Sequence, residues 1–192
     1  MDKNIIEYGI SNLYIGTYTV DNGTGEVTMG KPYHLPGAVS LGLDSDSKEN
    51  IFYADNIAYW TGYSSSGKSG ELEVARFTDE FRKQFLGEIT LDDGGQAEIS
   101  NPKKPSIYLA FESDGDAQKR RAIFYNGTFG SIKREHKTKE GEVKPDTEKI
   151  ALTISGDSAT ELVKATYNPD APGYKTLFTN PPKPKLPTNA TV

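Results

Sequence analysis

Between residues 36 and 87, apolar and polar positions alternate regularly enough to organise the rest of the chain. Val39, Leu41 and Leu43 alternate with Ser40, Gly42 and Asp44, and Leu72 and Val74 alternate with Glu71, Glu73 and Ala75. A period of two sends successive side chains to opposite faces of a strand, so both segments predict half-buried antiparallel strands with a polar, mainly acidic outer side. Between them, residues 50–60 read as a hairpin and the Gly- and Ser-rich residues 62–69 as a flexible loop. From Thr78 the period changes, because Phe81 and Phe85 are four apart with Leu86 beside them. Thr78 fits an N-cap, Asp79 and Glu80 complement the positive end of the helix dipole, and Gly87 fits a C-terminal stop. This predicts one short helix whose Phe81, Phe85 and Leu86 pack on a sheet.

The remaining pattern is strand after strand. Residues 12–19 are rich in β-formers and are followed by an Asn22-Gly23 turn and a return through residues 26–35. Residues 88–91 form a brief strand, and residues 105–112 and 119–125 form a pair joined across Asp114-Gly115-Asp116. Asn126-Gly127 reads as a further turn, with residues 128–137 running back, and residues 147–155 alternate again. Ser158-Ala159-Thr160-Glu161 has the form of a capping box, but the apolar run at 162–167 is too short for a buried helix and favours a strand. Residues 170–178 suit one helical turn. From residue 180 the Pro- and Lys-rich run suits an extended tail. The predicted fold class is mainly β: a β-sandwich over residues 12–179 with one flanking α-helix and an extended loop. Arms at 1–11 and 180–192 lack the apolar residues to order by themselves.

Composition narrows the chemistry. The 192 residues hold no Cys and only two His, His34 and His136, so a thiolate or His-rich metal site is not expected. No run approaches the ~18 apolar residues of a membrane span, and the N-terminus lacks the apolar core of a signal peptide, so a cytosolic chain without membrane partners is expected. Charge is uneven: residues 36–100 carry 5 basic and 12 acidic side chains, within an overall charge of −5. An acidic central unit is the opposite of what a protein gripping nucleic acid through its phosphates would show.

One stretch resembles chemistry. Residues 62–69 match the phosphate-binding loop pattern, with Gly62, Gly67, Lys68 and Ser69 in the positions that wrap phosphates, reach their charge and hold Mg²⁺. Residues 107–111 followed by Glu112 even resemble a second nucleotide-hydrolase motif, an apolar strand ending in a carboxylate. Such a loop must open a helix within strand-helix-strand units, whereas here it precedes an alternating segment in a chain of strands. The match is therefore read as fortuitous, with no cofactor expected and no catalytic set assembled from two unrelated histidines. Lys119-Arg120-Arg121 suits a solvated strand end or an acidic neighbour better than a phosphate site. Two alternatives stay open: a nucleotide-binding protein using residues 62–69, and a carbohydrate-binding β-sandwich with exposed Tyr and Trp60.

The order and spacing of several pieces resemble the major tail protein of long-tailed bacteriophages, the tail-tube subunit, in the family with phi-thirteen-like members. The resemblance rests on Asn12-Leu13-Tyr14-Ile15, Leu35-Pro36-Gly37-Ala38-Val39-Ser40 and Phe52-Tyr53-Ala54-Asp55-Asn56, then on Glu71-Leu72-Glu73-Val74 with the helix ending Leu86-Gly87, and on Tyr125-Asn126-Gly127-Thr128-Phe129 leading to Lys137-Thr138-Lys139. It covers roughly residues 10 to 155. It implies a non-enzymatic virion protein, made in the host cytoplasm, whose copies form stacked hexameric rings through which DNA passes without specific binding. Its implied partners are further copies of itself, a tape measure protein, a tail terminator and distal tail proteins. In such a ring the polar faces bearing Asp44, Glu71 and Glu73 are expected to line the lumen. The C-terminal forty residues depart from the family pattern, which often closes on a helix with a Trp-Phe-type pair.

Overall fold

The computed structural model describes residues 9–115, 118–134 and 145–187. In chain order its strands are β1 (Gly9–Val20), β2 (Val27–Met29), β3 (Tyr33–His34), β4 (Ala38–Ala54), β5 (Ile57–Val74), β6 (Ile89–Thr90), β7 (Gln96–Ala97), β8 (Ile107–Asp114), β9 (Arg121–Arg134), β10 (Glu148–Ile154) and β11 (Lys164–Tyr167). Nine of them form one antiparallel sheet in the order β2-β1-β8-β9-β10-β5-β4, with β3 beside β1 and β11 beside β9, while β6 and β7 pair separately. The fold is mainly β, and the sheet curls until residues of β4 lie within 8 Å, Cα to Cα, of β1.

Alternation along each strand divides the core in two. Leu13 and Ile15 of β1, Ile107 and Leu109 of β8, Ile150 and Leu152 of β10, and Leu72 and Val74 of β5 meet inside the curl. The intervening residues Tyr18, Tyr108, Ala110, Ile123 and Tyr125 form a second cluster on the opposite face. β8 is thus buried on both sides, which is why it reads as a continuous apolar run. Val39 is an exception to the expected alternation, because the register shifts between Ala38 and Ser40 and leaves it half exposed.

The inner cluster is closed by the helical segment. The Thr78 hydroxyl accepts the Phe81 N–H at 3.1 Å and also bonds the Tyr33 hydroxyl at 2.6 Å, fixing the entry to α1 (Asp79–Phe81). The segment then widens into a π turn over Arg82–Leu86 and stops at Gly87, whose φ of 72° suits glycine. A wider turn brings positions four and five residues apart to one side, so Phe81, Phe85 and Leu86 are all buried. Phe81 stacks on Phe77 at 4.7 Å and meets the edge of Phe129 at 5.4 Å.

Two expected boundaries differ. Asn126-Gly127 is not a turn: β9 runs through it, with Asn126 at φ 52° making a bulge that shifts the register between Ile107 and Leu109 of β8. The Asn126 carbonyl takes the Ser155 N–H, and its side chain donates to the Gly156 carbonyl, so side chain and backbone hold the bulge together. The part of residues 128–137 beyond Arg134 lies outside the described residues. At the N-terminus, pairing with β8 already begins at Gly9, within the stretch expected as an arm; residues 1–8 lie outside the described residues.

The second cluster is covered by the chain after β10, including α2 (Pro172–Thr176). Leu177 is fully buried there, and Arg121 lies over the Tyr174 and Phe178 rings at 4.0 and 4.3 Å while pairing with Glu112 at 3.0 Å. The tail expected to lack anchors is docked as far as the structure describes it. Pro181 and Pro184 are buried, and the Pro182 carbonyl accepts from the Tyr125 hydroxyl at 3.3 Å. Proline needs no N–H partner, so its rings can seal an apolar face without leaving a buried donor unpaired.

The cover is pinned by Asp157, 2% exposed, which takes a 2.5 Å hydrogen bond from Tyr18. Burial works to raise its carboxyl, but hydrogen bonds from Tyr18, Thr160 and Ala159 outweigh it and hold the group below the usual carboxylate range. A lowered folded value stabilises the fold fully above the unfolded Asp value of about 4, and the contribution is lost as pH falls through the folded value. Melting temperatures measured downward from pH 6 should therefore fall less steeply below about pH 4 in Asp157→Asn than in the wild type; equal slopes would mean that Asp157 contributes nothing to acid sensitivity. Phe81→Ala is expected to cost about 3–5 kcal/mol in denaturant melts, and a loss below about 1 kcal/mol would contradict its role as the core's closing side chain.

Candidate functional site

The most unusual surface is the hairpin of β4 and β5. Its strands pair from Ala38 opposite Val74 out to Ala54 opposite Ile57. Asp55 and Asn56 turn the chain at φ 50° and 60°, the left-handed pair that a two-residue hairpin turn requires and that Asn and Asp tolerate. β10 pairs with β5 only along residues 68–74. Beyond that point the hairpin is a two-stranded arm, reaching about 30 Å past the sheet for nine residues at the usual strand rise.

The arm is apolar where a lone ribbon should be polar. Ile51, Phe52, Tyr53, Ile57, Tyr59, Trp60 and Tyr63 are all exposed, Trp60 by 55% and Tyr63 by 76%. Phe52 and Trp60 are register partners on one face, whereas Ile51 and Tyr63, one and three residues away along their strands, fall on the other. Both faces therefore present apolar rings or side chains. In sequence this stretch reads as several shorter elements, because its Ser- and Gly-rich half carries no apolar period.

Residues 62–69, expected as a flexible loop, are part of β5. The two motif glycines have packing reasons. A side chain at Gly62 would collide with the indole of Trp60 lying along the strand, and one at Gly67, where φ is 123°, would overlap the Ile154 carbonyl oxygen. Lys68 donates to the Ser45 hydroxyl at 2.8 Å and Ser69 to Asp46 at 2.7 Å, so both are engaged across the hairpin. After Ser69 the chain continues as strand to Val74. Glu112, which ends the other motif-like strand, pairs with Arg121.

The register places Asp44, Glu71 and Glu73 on one face. Glu71 is opposite Gly42, Glu73 opposite Ser40 and Asp44 opposite Ser69, with Leu72 and Val74 on the buried side between them. That face is less acidic than the local sequence implies. Lys133 reaches Glu71 at 3.0 Å, and Lys149 reaches Glu73 at 3.5 Å. A hydrogen bond from Thr147, with Lys149 beside it, holds the Glu73 carboxyl below the usual range. These lysines come from β9 and β10, so charge counted along a contiguous segment misses them.

His34 packs its ring at 5.0 Å from Tyr14, and His136 lies outside the described residues. Among the described residues no group of three or more His, Cys, Asp or Glu could hold a metal, and no helix is long and apolar enough to cross a membrane.

No protein-family model matches the chain, and no curated protein sequence does. Among solved structures, the chain is similar to the cap that terminates the tube of the anti-feeding prophage, at 10% identity and a TM-score of 0.44, over 87% of this chain and 96% of that one. It is also similar to a chain of the extended sheath-tube complex of an extracellular contractile injection system, PVC, at 13% identity and a TM-score of 0.40, over 85% and 95% of the two chains. A third similarity is to a chain of the sheath/tube terminator of the same kind of system, at 12% identity and a TM-score of 0.43, over 84% and 99%.

Lys68→Ala removes one exposed hydrogen bond and is expected to change stability by no more than about 0.5 kcal/mol. Thermal melts with and without ATP and Mg²⁺ should be superimposable for the wild type and for this variant. A nucleotide-dependent rise in the wild type that vanishes in Lys68→Ala would instead make residues 62–69 a phosphate site.

Proposed function

We propose that the chain is the tube subunit of a phage-like tail, a structural protein that assembles with copies of itself into stacked rings around a channel for DNA. The observation that carries this reading is the arm: seven large apolar side chains, distributed over both faces of a ribbon, are left exposed by the described residues. Contiguous apolar surface of this kind marks an interaction site. A ribbon apolar on both faces suits insertion between neighbours better than lying on a flat surface, and the free edges of a two-stranded arm suit continuation of the sheet by another copy. Sugar binding by Trp60 and the tyrosines would use one face and leave the other unexplained. On this reading the partners are further copies, with a tape measure protein, terminator and distal tail proteins at the tube's ends and interior, and the match at residues 62–69 is fortuitous.

Trp60 is the only tryptophan, so its fluorescence reports on the arm alone. Concentrating the protein should shift its emission to the blue in step with the appearance of large particles in sedimentation, and negative-stain images should show rings or tubes. A chain that stays monomeric at high concentration, or that assembles without any change at Trp60, contradicts this role for the arm.

The face bearing Asp44, Glu71 and Glu73 is proposed to line the channel, where like charge keeps phosphates from adhering within a screening length of about 8 Å. With Lys133 and Lys149 already present, Glu71→Lys with Glu73→Lys makes the local face basic. Because exposed charges contribute little to stability, the double variant should still form tubes, but tubes that retain DNA at low salt. Tubes that exclude DNA as the wild type does would place these carboxylates elsewhere than the channel.

A further inference from the structure

The arm needs an acceptor, and we infer that the acceptor is the β6–β7 ribbon of a neighbouring copy. This deepens the self-assembly reading above and rests on it. β6 and β7 are joined only to each other, with Ile89 opposite Ala97 and Thr90 opposite Gln96, and the Leu91 N–H donates to the Gly95 carbonyl at 2.8 Å. Ile89 and Ala97 are cross-strand partners, and Leu91 and Ile99 flank the ribbon, Leu91 just after β6 at the turn and Ile99 just past β7 at the other end. Ile89, Leu91 and Ile99 are each more than two-fifths exposed. A two-stranded sheet this small is marginal in water by itself, and the described residues leave its large apolar side chains open.

The chemistry of the two surfaces is complementary. Among the described residues the large exposed apolar side chains fall on the arm, on this ribbon and at Val39. Both surfaces are open among the described residues, so neither covers the other there. The arm brings aromatic rings edged with donors: the hydroxyls of Tyr53, Tyr59 and Tyr63 and the indole N–H of Trp60. The ribbon brings branched aliphatic side chains flanked by acceptors, the carboxylates of Asp92, Asp93 and Glu98. Closing rings over the aliphatic face would set phenol and indole donors against carboxylates at its rim, the arrangement of an apolar centre with a polar border that stable interfaces share. Because arm and ribbon are different patches, each copy gives one arm and receives one. Such a heterologous contact propagates into a ring or a filament.

The chain contains no cysteine, so engineered pairs are unambiguous. Copies carrying Tyr59→Cys, mixed with copies carrying Ile99→Cys under mild oxidation, should form a covalent mixed dimer. The same arm variant mixed with Lys175→Cys copies supplies the background level. Leu91→Asp, a change at an exposed site, should leave the melting of the unassembled chain unchanged and raise the concentration needed for assembly by at least about tenfold. Leu91→Asp assembling at the wild-type concentration, with no more crosslinking to Ile99→Cys than to Lys175→Cys, would overturn the acceptor while leaving self-assembly intact. A wild-type chain that never assembles would overturn both.

Discussion

Glu148 lies 2% exposed beneath the helical segment, where its Oε2 accepts from the Phe77 N–H at 2.9 Å and from Arg82 Nη2 at 2.8 Å, with Arg134 Nε 3.4 Å from its Oε1. Withdrawing a carboxylate from water costs several kcal/mol, which only close cationic and N–H partners can offset. The position is as important as the pairing. Glu148 opens β10 in register with both Val74, where β5 ends, and Arg134, where β9 ends. One side chain thus sets the ends of three strands and the start of the helix that closes the core. Removing a partner from such a buried charge typically costs about 3–5 kcal/mol, comparable to deleting one of the phenylalanines above it.

The arm depends on that anchorage. Among the described residues its strand pairing to the rest of the sheet is the seven-residue register of β5 with β10, from Lys68 to Val74. A slip of one residue there would exchange the faces of every side chain along the strand. Glu148 at one end and Gly67, pressed against the Ile154 carbonyl, at the other leave little room for a slip. The rigid base is therefore what gives the distant tip a defined orientation, with Phe52 and Trp60 on one side and Ile51 and Tyr63 on the other.

Much of the fold was legible because burial imposes a period. Leu72 and Val74 against Glu71 and Glu73, and the run at Ile107, could be read as strands from the pattern alone. The failures share a cause. Residues 62–69 carry no apolar period because they run from the exposed arm into its base, where the packed position is Gly67 and Lys68 and Ser69 bond across the hairpin, so a strand looked like a loop. Asn126-Gly127 was read as a turn because its left-handed preference serves a bulge as well as it serves a hairpin. The acidic face was overestimated because Lys133 and Lys149 reach it from other strands. The Pro-rich tail was read as unanchored because its contacts, through Pro181, Pro184, the Pro182 carbonyl and Lys183 with Glu26, leave no hydrophobic pattern. The arm as a candidate site had one available signal: aromatic residues on both phases of the alternation from Ile51 to Tyr63, which a strand with one solvent face would not carry.

Magnitudes bear on how the proposed docking of the arm would favour one assembly over another. Fully burying a large apolar side chain is worth roughly 1.5–3 kcal/mol, and the seven on the arm are only partly exposed, so docking one arm would recover about half of that per residue. The total is of the same order as the roughly 4–15 kcal/mol of freedom lost when two molecules associate. A single contact is then close to break-even. In the proposed assembly, a copy held at its arm and its acceptor together would lose that freedom once while burying two such surfaces, which would favour a closed ring over an isolated pair. On the proposed assembly, stability and association would rest on different residues: the buried Phe, Ile and Leu side chains around Glu148 hold the subunit together, and the exposed aromatic arm would be shaped by what it docks against.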